Sequence, residues 1–197
     1  MAEIAAETVK QLRDATGAGM MDAKQALQES DGDFDQAIEW LRKKGESRAE
    51  KRAERSTESG MVHAYVHMDR VGAMVEVQCE TDFVARTDDF QTFVHDLAMQ
   101  VTAAGPRYVR PEDIPEEELD RERSVYVSET EGKPEDVKDK IIEGKLEKYY
   151  EQVCLLKQPF IKDPDKTIEQ YQTELIAKLG ENVVVKRFAY MELGSDA

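Results

Sequence analysis

The three histidines are the residues that most readily suggest metal binding or acid–base catalysis. His63 and His67 lie four residues apart in a segment rich in Val and Tyr, and His95 occurs later in the chain. Four residues along a strand cover about 13 Å, which is too far for two side chains to bind one metal ion. His95 has no partner at the spacing of metal ligands. The sequence therefore predicts no metal site.

Neighbouring carboxylates are the second group that could support acid–base catalysis. Asp88 and Asp89 are adjacent, and residues 116–118 are three consecutive glutamates. Both groups stand where a helix is expected to begin, and the helix dipole favours carboxylates there without any catalytic role. Residues 17–19, Gly-Ala-Gly, hold half of a phosphate-binding glycine motif but come after no strand, so they are expected to interrupt a helix. We therefore expect no catalytic residues, no cofactor, and a protein that is not an enzyme.

One connection between a strand and a helix carries an aromatic residue among polar ones. Residues 80–86 read Glu-Thr-Asp-Phe-Val-Ala-Arg, with Phe83 and Val84 near the tip. In one interpretation Phe83 folds back onto the core as a staple before the helix. In the other, it is presented on a rigid support as a hot spot for binding another protein. The spacing of the residues leaves both interpretations open.

The charge of the chain limits the partners that it can bind. Its 197 residues include 27 Lys and Arg and 42 Asp and Glu, for a formal net charge of −15. Nucleic-acid binding requires a basic surface that neutralises phosphates, so direct binding to nucleic acid is not expected. Cys79 and Cys154 have neither disulfide nor zinc spacing and are expected to be free thiols of a reducing compartment. With no apolar signal sequence and no run long enough to span a membrane, the expected location is the cytoplasm.

The elements that must position these residues begin with a small helical module at residues 1–45. The break at 17–19 ends its first helix, and a capping box that starts at Asp22 begins the second. Another capping box at Asp33 begins the third helix, and Gly45 is expected to end it. Three short helices can bury only a thin core.

A charged segment separates this module from the rest of the chain. Residues 46–59 have almost no apolar side chains and place opposite charges three and four residues apart, which predicts a charged helical linker. Residues 60–197 predict an α+β core with helical connections. Its antiparallel sheet is expected to contain three strands, at about 61–68, 73–80 and 182–193. The predicted fold class is thus α+β, with a three-helix module followed by a sheet flanked by helices.

The helices of the core have recognisable starts and ends. An amphipathic helix is expected to be capped by Asp88 or Asp89 and to end at Gly105. Acidic helical stretches are expected next, at about 116–130 and 135–151. Thr167 is expected to cap a further helix before the last strand.

Five runs of residues stand out along nearly the whole chain. The two longest are Leu12-Arg13-Asp14-Ala15-Thr16-Gly17-Ala18-Gly19-Met20-Met21-Asp22 and Thr81-Asp82-Phe83-Val84-Ala85-Arg86. Shorter runs are Glu143-Gly144-Lys145-Leu146, Leu155-Leu156-Lys157-Gln158-Pro159-Phe160 and Gly180-Glu181-Asn182. In this order, the runs resemble those of the elongation factor Ts family.

This resemblance implies a guanine nucleotide exchange factor of translation elongation that binds elongation factor Tu with GDP. The first 45 residues resemble a ubiquitin-associated module that docks on the GTPase domain of that partner. The core is expected to contact the GTPase domain and a β-barrel domain. Asp82 and Phe83, flanked by Thr81 and Val84, are expected to enter the partner beside the helices that support its Mg²⁺ site, which loosens Mg²⁺ and then GDP.

Within the module, the resemblance implies a second set of partner-binding residues: Leu12, Ala18, Gly19, Met20 and Met21. The turn at 18–21 is expected to contribute affinity, because methionine offers an adaptable apolar contact. The alternative is that both methionines fill the core of the module.

The resemblance also bears on assembly. Long members of the family carry two related core halves, and this chain has the length for one, so it resembles the short form in which two subunits pair. We therefore expect a homodimer that binds two GTPases. Gln100 departs from the family, in which histidine is frequent at this position.

The sequence leaves two other functions to be weighed. One is an adaptor or scaffold that binds ubiquitin-like proteins, which a pull-down would separate from a partner of elongation factor Tu. The other is a metal-dependent hydrolase, which elemental analysis would exclude. In all of these interpretations, the chain itself is not expected to bind a membrane.

Overall fold

The computed structural model describes residues 4–130 and 134–195. Its helices are α1 (Ala6–Thr16), α2 (Met20–Glu29), α3 (Phe34–Arg52), α4 (Asp82–Ala85), α5 (Asp88–Ala104), α6 (Glu116–Ser128), α7 (Glu135–Val153) and α8 (Ile168–Leu179). Its strands are β1 (Ser59–His67), β2 (Val71–Cys79), β3 (Pro159–Phe160), β4 (Asp163–Thr167) and β5 (Val183–Glu192).

The main sheet has the strand order β1-β2-β5, and its bounds lie within two residues of the predicted strands. The predicted α+β class, with a helical N-terminal module and a three-stranded antiparallel sheet, is confirmed. β3 and β4 form a separate antiparallel pair in which Pro159 faces Thr167. Short 3₁₀ turns lie at Pro111–Asp113 and Leu155–Lys157.

The chain divides into two compact units, each built from separate segments. The first contains the chain up to Met61 together with Gln78–Phe93 and Gln172–Val184. The second contains Val62–Val77, Val94–Tyr171 and the residues from Val185 onward.

Half of the buried side chains in the core of the three-helix module are alanines. Alanine fills little volume, so the helices can pack closely where it is buried. The buried members are Val9, Leu12, Ala23, Ala26, Leu27 and Ala37, with Ile4, Phe34, Trp40 and Leu41 packed against them.

The start of α2 differs from the prediction. Gly19 is the N-cap, without a side-chain cap, and α2 begins at Met20, so the predicted capping box at Asp22 is wrong. The Asp22 carboxylate instead accepts hydrogen bonds from both terminal nitrogens of Arg48, at 2.7 and 3.0 Å. Lys44 adds an ion pair at 3.0 Å. These bonds, led by that from Arg48, lower the pKa of Asp22. A bidentate bond to a charged donor outweighs a cap in this position.

Helix α3 continues past Gly45 to Arg52, so the predicted end of the helix at Gly45 is wrong. A side chain at Gly45 would come 3.5 Å from Cβ of Ala177, which indicates a close approach of α3 and α8. Pairs of opposite charge four residues apart, such as Arg42 with Glu46 at 3.3 Å, support the helix beyond this point. The first half of the predicted linker is therefore the end of α3.

Two other helix starts test the predicted caps. Thr87, not Asp88 or Asp89, caps α5, since its Oγ1 accepts a hydrogen bond from the amide of Phe90 at 3.3 Å. The predicted cap of α8 is confirmed. The Thr167 amide donates to Oε1 of Gln170 at 2.9 Å, and the Gln170 amide donates to the Thr167 hydroxyl at 3.2 Å.

The acidic helices α6 and α7 of the second unit are fastened at Glu118. Its carboxylate accepts hydrogen bonds from Arg107 at 2.6 Å, from the Tyr108 hydroxyl at 2.8 Å and from the Tyr149 hydroxyl. The bond from Tyr149 is the largest of the effects that lower the pKa of Glu118. The hairpin of α6 and α7 is therefore held at its base by a polar cluster.

Both cysteines are free and buried, and burial raises the pKa of each thiol to about 11. Among the helices of residues 4–130 and 134–195, none combines the length and apolar character needed to cross a membrane.

Candidate partner-binding site

The predicted loop between β2 and α5 contains a helical turn, α4, that no pattern in the sequence indicates. Thr81 is its N-cap, with an extended backbone at φ −129° and ψ 155°. The Thr81 hydroxyl accepts a hydrogen bond from the amide of Val84 at 3.4 Å. A threonine cap at this position sets the direction in which the turn leaves the strand.

The side chain of Phe83 is 80% exposed, so the interpretation of Phe83 as a staple onto the core is wrong. Ala85 is the residue of α4 that is buried. Because successive helical residues are about 100° apart, burial of Ala85 turns the residue two positions earlier towards solvent. Val84 is half-buried beside it.

Asp82 is exposed and forms an ion pair with Arg86, with Oδ2 and Nη2 2.8 Å apart. Both side chains are more than half exposed, so this pair contributes little to stability. The carboxylate is thus held loosely enough to exchange Arg86 for another positive or hydrogen-bonding group.

The base of α4 is bonded to the turn between α8 and β5. The Thr81 amide donates to Oε2 of Glu181 at 3.0 Å, and the Thr81 hydroxyl donates to Oε1 of the same residue at 2.7 Å. The buried thiol of Cys79 donates to the carbonyl of Thr81 at 3.1 Å. Three polar contacts therefore fix Thr81, the residue at which α4 begins, two positions before Phe83.

The neighbouring residues Glu80 and Asn182 form a bond in which the carboxylate comes from the other segment. The amide of Asn182 donates to Oε1 of Glu80 at 2.6 Å, and Arg55 lies 3.3 Å from the same carboxylate. The side-chain amide of Asn182 donates to the carbonyls of Ala53 at 3.3 Å and Arg55 at 3.0 Å. Asn182 is only 4% exposed, and these bonds satisfy the N–H groups of its backbone and of its side chain.

The methionines of the N-terminal module are on its surface. Met21 is 76% exposed and Met20 is 46% exposed, so the interpretation of both as core residues is wrong. Ala18 is half-buried and Gly19 is exposed in the same turn. Leu12 is fully buried in the core of the module, so its side chain supports this turn from inside.

The histidines form a pair that their spacing in the sequence does not reveal. Nε2 of His63 and Nδ1 of His95 are 3.0 Å apart, although the two residues lie 32 positions apart in the sequence. Tyr65 packs edge-on against His95 and bonds to His67 at 3.2 Å. Across the part of the chain that the structure describes, no group of three or more His, Cys, Asp or Glu is arranged to hold a metal.

Gln100 is 1% exposed and lies in the interior of the second unit. Its side-chain nitrogen donates to Gln158 at 3.1 Å and to the carbonyl of Pro159 at 3.2 Å. Its oxygen accepts from the amide of Ile161 at 2.9 Å. Gln100 therefore fastens β3 to α5, and its buried amide is committed to bonds within its own chain.

Known proteins resemble this chain over nearly its whole length. The sequence model of the family described as Elongation factor TS matches residues 1–175. The chain belongs to the elongation factor Ts family. It is similar to Elongation factor Ts of Syntrophus aciditrophicus, with 55% identity over 196 residues that cover 98% of both chains. The corresponding protein of Moorella thermoacetica is 56% identical over 97% of this chain and 96% of its own.

A third relative shows the same correspondence. Elongation factor Ts of Thermotoga neapolitana is 50% identical over 98% of this chain and 99% of its own length. The resemblance inferred from the residues around Phe83 is thereby confirmed at the level of the family.

Sequence reasoning missed the residues that anchor α4, namely Glu80, Glu181 and Asn182. The resemblance of residues 180–182 to the family is the signal that points to Glu181 and Asn182. Thr81 and Glu181 are 100 residues apart, so no local pattern indicates that they touch.

Proposed function

We propose that this protein is a guanine nucleotide exchange factor of translation elongation. It binds elongation factor Tu with GDP, disturbs the Mg²⁺ site of that partner with Asp82 and Phe83, and promotes GDP release. The observation that carries the proposal is the exposed ring of Phe83 on the anchored turn α4. A rigidly held aromatic side chain is the usual form of a hot spot in a protein interface.

The proposed activity is a change in binding, and the protein itself makes or breaks no covalent bond. A factor that binds the nucleotide-free GTPase more tightly than the GDP form must weaken GDP binding by the same ratio. A thousandfold faster release requires a barrier lower by about 4 kcal/mol. Burial of one Phe stabilises by roughly 1.5–3 kcal/mol, so Phe83 requires help from other contacts.

The two residues of the turn have different roles in this proposal. Phe83 is the apolar wedge, and Thr81 and Val84 form its base. Asp82 perturbs the hydrogen bonds around the metal site, because its exposed carboxylate is free to leave its weak pair with Arg86.

The N-terminal module supplies affinity. Support for this comes from the exposure of Met20 and Met21 at the start of α2. Flexible thioether side chains adapt to an apolar groove on a partner helix or sheet. Contacts made before and after GDP release increase occupancy of the complex without themselves changing the chemistry of the Mg²⁺ site.

We further propose that the protein forms a homodimer and that the dimer binds two copies of elongation factor Tu. Alternate residues of β1 are exposed, and exposed apolar side chains lie on all three strands of the main sheet: Val62, Val66, Met74 and Met191. A second copy of the sheet would cover this apolar surface. We also propose that the protein is cytoplasmic. Its net charge of −15 disfavours direct binding to the phosphates of nucleic acid or of a membrane surface.

Stopped-flow release of fluorescent GDP from elongation factor Tu tests the proposal. We expect the protein to accelerate release strongly at millimolar Mg²⁺ and much less after chelation of Mg²⁺, because the metal contribution is then already absent. An unchanged release rate over a range of protein concentrations would refute the proposed function. Light scattering of the mixture would give the two-plus-two stoichiometry, or a one-plus-one complex if the dimer does not form.

A further inference from the structure

Two pairs of neighbouring residues, 80–81 and 181–182, bind each other reciprocally in the first compact unit. Glu181 accepts from the backbone amide and hydroxyl of Thr81, and Glu80 accepts from the backbone amide of Asn182. Each pair thus supplies a carboxylate to the main-chain N–H of the other. We call this arrangement the 80/181 clamp.

The clamp binds the N-terminal end of α4, where the helix has the fewest hydrogen bonds of its own. A helix of four residues has too few internal hydrogen bonds to be stable alone, because fixing the backbone of the first turn loses more conformational entropy than its hydrogen bonds offset. Its first amides also lack partners within the helix. Inside α4, the bonds from Val84 to the Thr81 hydroxyl and from Ala85 to the Thr81 carbonyl measure 3.4 and 3.3 Å, which is long.

The bonds to Glu181 are shorter and involve a carboxylate, and such bonds are about twice as strong as neutral ones. The clamp is in turn fastened to the chain after α3, since Asn182 bonds to the carbonyls of Ala53 and Arg55. Gly180 makes this geometry possible, because its φ of +77° reverses the chain directly after α8. The position of Thr81, and with it the direction of Phe83, is set from outside the turn.

We infer that Glu181 is a positioning residue for nucleotide exchange, which holds Thr81 so that the ring of Phe83 is presented in one direction before the partner arrives. This inference rests on the proposed function. Binding to a preorganised side chain avoids the cost of ordering it at the interface. Without Glu181 the turn samples several orientations, and only a fraction of the complexes has the ring in place.

A first experiment examines the clamp in the free protein. In Glu181→Ala, we expect hydrogen exchange of the Thr81 amide to be faster by at least about tenfold, the effect of losing one charge-assisted hydrogen bond. The matched control is Glu151→Ala, which removes an exposed carboxylate from α7 and should leave exchange at Thr81 unchanged. Equal exchange at Thr81 in Glu181→Ala and the unmutated protein would overturn the inference.

A second experiment examines exchange of GDP on elongation factor Tu. In Glu181→Ala, we expect the maximal release rate to fall by about tenfold. The concentration for half-maximal rate should change by less than about twofold, because the other contacts still dock the protein. A loss of stability alone would lower the amount of active protein and not the rate at saturation. An unchanged maximal rate would therefore refute the positioning role.

A double variant separates positioning from a direct contact of Glu181 with the partner. Once Phe83→Ala has removed the ring, the clamp has nothing left to direct, so Glu181→Ala should add less than about twofold to the loss. If the fold-decrease in the release rate of the double variant equals the product of the decreases in the two single variants, the inference is refuted. Glu181→Gln keeps the size and one acceptor oxygen, so its rate should be intermediate, and this variant carries the test if Glu181→Ala does not fold.

The unmutated protein separates a failure of the proposed function from a failure of the inference. If it does not accelerate GDP release, the proposed function is refuted and the inference with it. If it does accelerate release and Glu181→Ala is equally fast at saturation, only the role of Glu181 is refuted.

Discussion

Replacement of Phe83 by alanine should slow nucleotide exchange without unfolding the protein. Phe83 is 80% exposed in the free protein, so about four-fifths of its side chain is available for burial in a partner. Complete burial of a phenylalanine stabilises by roughly 1.5–3 kcal/mol. The available four-fifths therefore corresponds to about 1.2–2.4 kcal/mol.

At about 1.36 kcal/mol for each tenfold change in rate, this range predicts a maximal release rate about 8- to 60-fold lower. The stability of the free protein should change by less than about 0.5 kcal/mol, because the ring makes few contacts in its own chain. For a chain of this length, that is a shift in Tm of about 2 °C or less. A large fall in the maximal release rate with a small change in Tm therefore indicates a lost contact with the partner, whereas a large fall in Tm indicates unfolding.

The assay is stopped-flow release of fluorescent GDP from elongation factor Tu over a range of factor concentrations, with Tm measured on the same preparations. Val127→Ala is the control, because it truncates another exposed apolar side chain, on α6, that has no proposed role. We expect it to match the unmutated protein. A Phe83→Ala variant with an unchanged maximal rate would refute the reasoning, and so would a rate lost in proportion to a drop in Tm.

Other changes address the module, its ion pair, the core and the dimer. Met21→Ala should raise the Kd for elongation factor Tu up to about tenfold in titration calorimetry, because an exposed apolar contact is lost. Asp22 has a lowered pKa through its bond to Arg48, so its stabilising effect is present above the ordinary aspartate pKa and is lost as pH falls below about 4. Asp22→Asn should cost about 1 kcal/mol at neutral pH and flatten that acid loss in urea unfolding. Gln100→Ala should cost about 1–3 kcal/mol by the same method, because the amide of Ile161 loses its acceptor. Val66→Glu should halve the mass in sedimentation, because a charge enters the apolar sheet surface.

Each of these four predictions would be contradicted by a specific result. An unchanged Kd for Met21→Ala would remove that side chain from the interface. An Asp22→Asn variant that loses stability in acid as steeply as the unmutated protein would assign the loss to other carboxylates. A neutral Gln100→Ala would contradict the structural role of the amide, and a Val66→Glu protein of unchanged mass would place the dimer contact elsewhere.

Local patterns predicted most of the fold. The Val-rich composition of β1 and β2, the apolar stripe of α5 and the cap at Thr167 each depend on residues a few positions apart, and all three elements are present in the structure. The sequence alone leaves the exposure of Phe83 open, because spacing does not reveal which side of a short turn faces the core. Burial of Ala85 decides it.

The corrections share a different cause. Asp22 caps nothing because Arg48 lies 26 positions away in sequence and beside it in space. Glu181 and Thr81, and likewise His63 and His95, meet only after the chain has folded. The spacing of residues in a single sequence does not reveal long-range pairs of this kind. The sequence therefore indicated Asp82 and Phe83 as candidate residues but did not indicate that Glu181 holds Thr81.

The continuity of α3 beyond Gly45 has a mechanical consequence. A helix is a rod with a fixed phase, in which each added residue rotates the next part of the chain by about 100° and advances it by about 1.5 Å. Because Asn182 holds the carbonyls just after this rod, the methionine-bearing turn of the module and the ring of Phe83 keep a set angle to each other. One residue inserted between Gly45 and Arg52 would rotate the module by about 100° around the axis of α3. An insertion of about seven residues would return the module nearly to its original rotation.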